Sequence, residues 1–78
     1  NLYFMKQQIQ TLVKDAMKKR DQVALDTLRG LLTAIQYEEI AQKVEPLPTD
    51  AIIAVIQREA KKLKEEKDFA VQAKREAD

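Results

Sequence analysis

The chain contains two prolines, and both lie in the short segment Glu45-Pro46-Leu47-Pro48-Thr49. Proline lacks a backbone N–H and its ring clashes with the preceding helical turn, so this segment cannot lie inside a helix. On either side of it, apolar residues recur every three or four positions, which is the spacing of an amphipathic helix. No alternating β-branched run indicates a strand. The sequence therefore predicts an all-α chain with a stiff loop, ending at the suitable N-cap Thr49.

The apolar spacing predicts three helices, a short one followed by two long ones. The first covers about residues 5–19 and the second about 22–43, with Asp21 as its N-cap; the third begins near Asp50 and continues past Ala73. We expect the first two to be antiparallel, with the third across them. The predicted core-facing residues are Ile9, Leu12, Val13, Ala16 and Met17, then Ala24, Leu25, Leu28, Leu31, Leu32 and Ile35, then Ile52, Ile53, Ile56, Ala60 and Leu63.

The far part of the third helix has little to pack against within the chain. No apolar residue occurs in the segment 64–68, and the next apolar residues are Phe69, Ala70 and Val71. We expect this part to project, to pair with a second copy, or to contact a further segment. Phe69 and Val71 are therefore the candidate residues for protein contact.

The chain lacks both cysteine and histidine. It offers no disulfide, no thiol or imidazole nucleophile and none of the usual zinc ligands. The sequence predicts no catalytic residue and no cofactor, although a magnesium site made only of carboxylates stays open. Glu38-Glu39 and Glu65-Glu66 are adjacent pairs, but neighbours on a helix point about 100° apart and do not converge on one site. We expect both pairs to be solvated.

Basic side chains cluster on the third helix of a chain whose total charge is nearly balanced. Lys and Arg number 14 against 13 Asp and Glu, giving +1, whereas strong nucleic-acid binders carry a basic excess. Arg58, Lys61 and Lys62 could meet phosphates, while Glu59 and Glu65 among them favour a salt-bridged, solvated surface. Both interpretations stay open.

Two neighbouring residues in the second helix also allow alternatives. Arg29 could pair with Asp26 or reach another element. Gly30 costs about 1 kcal/mol relative to Ala inside a helix, so it indicates either a close helix approach or a tolerated glycine. At the end of the first helix, the cluster 18–20 suits the negative end of the helix dipole.

The first four residues, Asn1-Leu2-Tyr3-Phe4, read as the remnant of a cleavage tag before a start-like Met5. The domain is therefore predicted to cover residues 5–78. No apolar run approaches the roughly 20 residues of a membrane span, and no signal-peptide pattern is visible. We expect a cytoplasmic protein.

Three segments, in order, resemble the YqeY-like family. Residues 12–21 (LVKDAMKKRD) are similar to its opening D-x-K-x-A-M-K helix, and residues 25–40 to its L-x-x-[IL]-R-x-[LIV]-x-x-A-[IL] stretch with an acidic-apolar close. Residues 59–76 are similar to its charged third helix, with Lys74 where the family has Gly. The resemblance covers nearly all of residues 6–77.

The resemblance implies two-domain proteins of about twice this length, of which this chain would be the N-terminal helical domain. The second domain of such proteins is similar to the tail of the B subunit of the glutamine-dependent aspartyl/glutamyl-tRNA amidotransferase, which is associated with tRNA binding. The implied activity is that of a carbon–nitrogen ligase with glutamine as amido donor. Such chemistry needs a glutaminase nucleophile and a nucleotide site, and the chain shows neither motif.

We therefore expect an accessory helical domain that binds tRNA, with Arg29, Arg58, Lys61 and Lys62 as the candidate RNA-contacting residues. The alternative is a protein-interaction or self-association module with no RNA role, which would bind a second copy or an amidotransferase-like protein.

Overall fold

The computed structural model describes residues 4–77 and contains three helices. α1 spans Phe4–Lys19, α2 spans Gln22–Gln42 and α3 spans Thr49–Ala77. The described residues contain no strand, so the all-α class, the number of helices and the short first helix are confirmed. The predicted tag remnant lies outside the described residues except for Phe4, the first residue of α1.

The turn between α1 and α2 is short because each helix end has a local stop signal. Arg20 is left-handed, with φ 54°, a backbone state that cannot continue a right-handed helix. The carboxylate of Asp21 accepts the N–H of Ala24 at 3.1 Å, which confirms the predicted N-cap. So short a link makes α1 and α2 antiparallel, and the contact of Lys6 with Glu39 at their opposite chain ends agrees.

α3 begins one residue earlier than predicted. The carbonyl of Pro48 accepts the N–H of Ile52 at 2.9 Å, so Pro48 rather than Thr49 stands at the N-cap position. The helix then continues through Lys74 to Ala77. Because Lys keeps good helix propensity where the family has Gly, no break occurs there.

The core lies where the proline loop closes over the three helices. Ile9 of α1, Ile35 of α2, Leu47 of the loop, and Ile52 and Val55 of α3 form one buried cluster. Leu47 and Val55 were missing from the predicted core. Among the predicted core residues of the compact part, Leu12, Met17 and Ile53 are instead substantially exposed, because no element covers that side of their helices.

The far half of α3 extends away from this core. Every described residue from Ala60 onward is exposed, so the predicted core positions Ala60 and Leu63 are wrong. Within the single chain this part projects from the core, and pairing with a second copy or contact with a further segment stays a prediction. The chain is correspondingly elongated, with extents of 51 × 31 × 16 Å. Side-chain pairs one turn apart, such as Lys64 with Asp68 at 3.1 Å, support this half locally.

Candidate binding surfaces

The described part of the chain brings no set of catalytic groups together. Its residues form no group of three or more Asp and Glu side chains that could hold a metal ion. Glu38 and Glu39 diverge, as helix geometry requires. Glu38 contacts Arg58 of α3 at 3.3 Å, while Glu39 contacts Lys6 of α1 at 2.9 Å. These carboxylates connect helices and share no site.

Glu39 is buried, which corrects the expectation that both glutamates are solvated. Only 8% of its side chain is exposed, beside 12% for its partner Lys6. Its second oxygen accepts the backbone N–H of Leu47 at 2.9 Å. One carboxylate thus joins α1, α2 and the proline loop, and it satisfies both a lysine and a loop amide away from water.

The burial of Glu39 had a signal in the sequence. Glu39 lies four residues after Ile35 and seven after Leu32, so it continues the apolar seam of α2 along the same face. A carboxylate at a seam position requires a buried partner. The sequence did not show which cation would supply it, because Lys6 is 33 residues away.

The basic residues of α3 form a surface that we call the basic arc, made of Arg58, Lys61 and Lys62. Residues three and four positions apart are neighbours on a helix surface, so the structure brings these three together. All three are exposed. Arg58 shares its charge with Glu38, whereas Lys61 and Lys62 form no ion pair with any described residue.

Arg29 does not join the basic arc. Leu31 lies on the flank of α2 that borders α3. Arg29 precedes Leu31 by two residues, which corresponds to a rotation of about 200° around the helix axis. Arg29 therefore points to the other flank. It forms no ion pair within residues 4–77, and the carboxylate of Asp26 accepts instead from Gln22 at 2.7 Å. Of the four predicted RNA-contacting residues, the structure brings Arg58, Lys61 and Lys62 together, and Arg29 lies apart from them.

A cleft separates the first half of α2 from the middle of α3. Its volume is about 350 Å³. Its apolar lining comes from both helices and consists of Gly30, Leu31, Ile56, Ala60 and Leu63. Three carboxylates and one lysine also line it: Asp26, Glu59, Glu66 and Lys62. No residue of the proline loop lines this cleft, which is formed by helix faces alone.

Gly30 lies beside open space in this cleft, and no neighbouring helix approaches α2 closely at this residue. A Cβ built on Gly30 meets nothing within 4 Å. The alternative in which a neighbouring helix requires glycine is therefore wrong, and space lies beside α2 at this point.

Phe69 and Val71 are both exposed, at 76% and 43%, as expected for contact residues. They are two positions apart on α3, so their side chains point in different directions. The structure places them on different faces of the helix, and they do not form one apolar patch.

No helix in residues 4–77 is both long and apolar enough to cross a membrane. The fold and surfaces define a small three-helix domain in which a long charged helix extends beyond a compact core. Residues 6–77 match the family described as Yqey-like protein. The match covers nearly the whole chain, so the chain belongs to the YqeY-like family. No curated protein and no solved structure matches the chain.

Proposed function

We propose that the chain is a non-catalytic accessory domain of tRNA-dependent amidotransfer, and that it contacts tRNA phosphates through the basic arc. The observation that supports this proposal is the basic arc. Arg58, Lys61 and Lys62 lie on adjoining turns of one helix, exposed to solvent. Such a row of cations follows a phosphate backbone without reading bases.

The charge of the rest of α3 sets the expected strength of this contact. Glu65 lies one turn after Lys61 and Lys62, and Arg58 is partly neutralised by Glu38 at 3.3 Å. We therefore expect few phosphate contacts and an affinity in the range of non-specific binding, which falls steeply with salt.

The ligase chemistry implied by the family resemblance needs groups outside the described residues. The buried ion pair of Glu39 with Lys6 is structural, and the sequence has no cysteine or histidine from which a thiol–imidazole pair could form. Incubating the purified chain with glutamine should release no ammonia above the buffer rate. Sustained turnover would contradict the assignment as a non-catalytic domain.

The RNA contact is tested by titrating fluorescently labelled bulk tRNA with the chain and measuring anisotropy at two salt concentrations. Lys61→Glu with Lys62→Glu should weaken binding at least tenfold, because two phosphate contacts become repulsive. Unchanged affinity in this variant would contradict the proposed surface.

A matched control reverses two lysines at the far end of α1, Lys18→Glu with Lys19→Glu. These residues occupy the last turn of their helix and produce the same change in net charge. We expect a clearly smaller loss of affinity than for the basic-arc variant. Equal losses would show that tRNA responds only to net charge.

A second candidate function is contact with a protein such as an amidotransferase subunit, without an RNA role. The observation that favours it is Phe69, an aromatic residue that is 76% exposed on a projecting helix; aromatic residues are enriched at protein interfaces. Under this alternative, Phe69→Ser would abolish association with the partner, while the basic-arc variant would bind tRNA no differently from the wild-type chain.

A further inference from the structure

α3 carries an apolar residue at every seventh position from Ile56, which packs against the core, to its last described residue. Ile56, Leu63, Ala70 and Ala77 share this spacing, which keeps them on one side of the helix with only a slow drift. This face points away from Lys61 of the basic arc, which is about 160° from Leu63 around the helix axis, whereas Lys62 lies at its edge and also lines the cleft. The spacing is that of one position in a coiled-coil seam.

The two halves of this seam are in different situations. Ile56 and Leu63 line the cleft between α2 and α3, and Leu63 is 49% exposed there. Ala70 and Ala77 lie beyond the reach of α2 and are fully on the projecting part. Large apolar residues thus occur where the surface is concave, and small ones where the helix stands free.

We propose that α3 of a second copy of this chain docks antiparallel along this face, with its projecting half in the cleft. A twofold axis between Glu66 and Lys67 fixes the register. Each residue of α3 then faces the residue of the second copy that lies equally far on the other side of this point in the sequence. Leu63 meets Ala70 of the second copy and Ile56 meets Ala77. Each large side chain therefore opposes a small one, which allows the facing side chains to interdigitate.

The same register pairs opposite charges along the seam. Glu59 faces Lys74 of the second copy, and Glu66 faces Lys67; the axis repeats both pairs, so that four ion pairs form. Asp26 adds a third carboxylate to the lining of the cleft, beside the lysines of the incoming helix. Charged residues that flank an apolar seam select partner and orientation in helix pairs.

Charge complementarity favours a second copy over an unrelated partner. In an isologous dimer one surface must complement itself. The face from Ile56 to Ala77 does so, with its acidic residues in the first half and its basic residues in the second. The contact extends over about six helical turns, and Gly30 leaves space on the α2 side of the cleft.

Self-association leaves Arg58 and Lys61 of the proposed RNA surface free and places Lys62 at the edge of the contact. Lys61 points nearly opposite to the seam, so the twofold axis places the basic arcs of the two copies on the outer sides of the dimer. The inference stands without RNA binding, because it depends on a different face.

Sedimentation equilibrium over a concentration series tests this proposal on the full chain. We expect the mass to rise from that of one chain, 9.0 kDa, to about twice that value with increasing concentration. A single-chain mass up to millimolar concentration would overturn the proposal.

Two charge-reversed variants test the register. Glu59→Lys with Glu66→Lys places positive charges against Lys74 and Lys67 of the second copy. Lys67→Glu with Lys74→Glu places negative charges against Glu66 and Glu59. Each variant alone should associate at least tenfold more weakly than the wild-type chain. An equimolar mixture should recover association, because every reversed pair then regains an opposite charge.

A matched control carries Glu65→Lys with Glu76→Lys. These residues lie on α3 outside the seam, and the change in net charge equals that of the first variant. The control should associate within about threefold of the wild type. Circular dichroism confirms that each variant is folded; failure of the folded mixture to recover association would overturn the antiparallel register.

Discussion

At the scale of single residues, two neighbouring glutamates serve different roles. Glu38 stands 28% exposed beside an Arg58 that is itself 59% exposed, so water competes with this ion pair. Glu39 and Lys6 are nearly enclosed, and the carboxylate also holds the Leu47 amide. Glu38 and Glu39 point about 100° apart around the axis of α2. This difference places one in a surface contact and the other in a structural contact.

This difference predicts unequal losses of stability. Glu39→Ala leaves Lys6 without its partner and the Leu47 N–H without an acceptor, so the free energy of unfolding should fall by about 3 kcal/mol. Glu38→Ala removes only an exposed pair and should cost less than about 1 kcal/mol. Urea denaturation measures both, and comparable losses would contradict the assigned role of Glu39.

Gly30 allows a stabilising substitution. Because nothing lies within 4 Å of a Cβ at this position, Gly30→Ala should gain helix propensity without a clash. We expect the free energy of unfolding to rise by about 1 kcal/mol. Thermal denaturation checks this value, and a loss of stability would mean that the space beside Gly30 is filled.

Residue environments were predictable from the sequence only where helix periodicity sets them. Ile9, Ile35 and Ile52 are buried as predicted. Leu47 was missed because a loop residue has no periodicity, and its burial depends on how the loop folds back. Lys6 was missed because the ion pair with Glu39 joins distant segments of the chain.

At the scale of elements, α3 is one helix with two environments. Its first turns bury Ile52 and Val55 in the core, whereas the part beyond Ala60 relies on its own backbone and on surface pairs. Helices without tertiary packing are marginal in water. The two halves should therefore differ in local stability.

Amide hydrogen exchange tests this difference. At micromolar concentration, amides in residues 53–58 should exchange with protection close to that of the whole domain, and those in 67–76 at least tenfold faster. At high concentration the protection of 67–76 should increase if the second copy covers this half. Equal protection of residues 53–58 and 67–76 at every concentration would contradict the claim that the projecting half of α3 lacks tertiary support.

Helix boundaries were accessible to sequence reasoning because their signals are local. The Asp21 N-cap and the proline loop define the starts of α2 and α3 to within a residue. The basic arc could likewise be predicted, since its members are close in sequence. Arg29 could not be excluded from it beforehand, because the side of α2 that meets α3 depends on packing.

At the scale of the whole molecule, a balanced net charge of +1 conceals a separation of charges. Basic residues collect in the arc, whereas three carboxylates line the cleft beside α3, with Lys62 of the arc at its edge. One helix can therefore present a phosphate-binding side and a self-complementary side. Net charge alone would have argued against the phosphate-binding side.

The salt dependence of tRNA binding tests the central claim, that the basic arc meets phosphates, most directly. The logarithm of the affinity should fall linearly with the logarithm of salt concentration. Lys61→Glu with Lys62→Glu should reduce that slope by about 1.5 or more, the loss of two phosphate contacts. A wild-type chain that fails to bind tRNA at low salt, or a slope that the variant leaves unchanged, would contradict the claim.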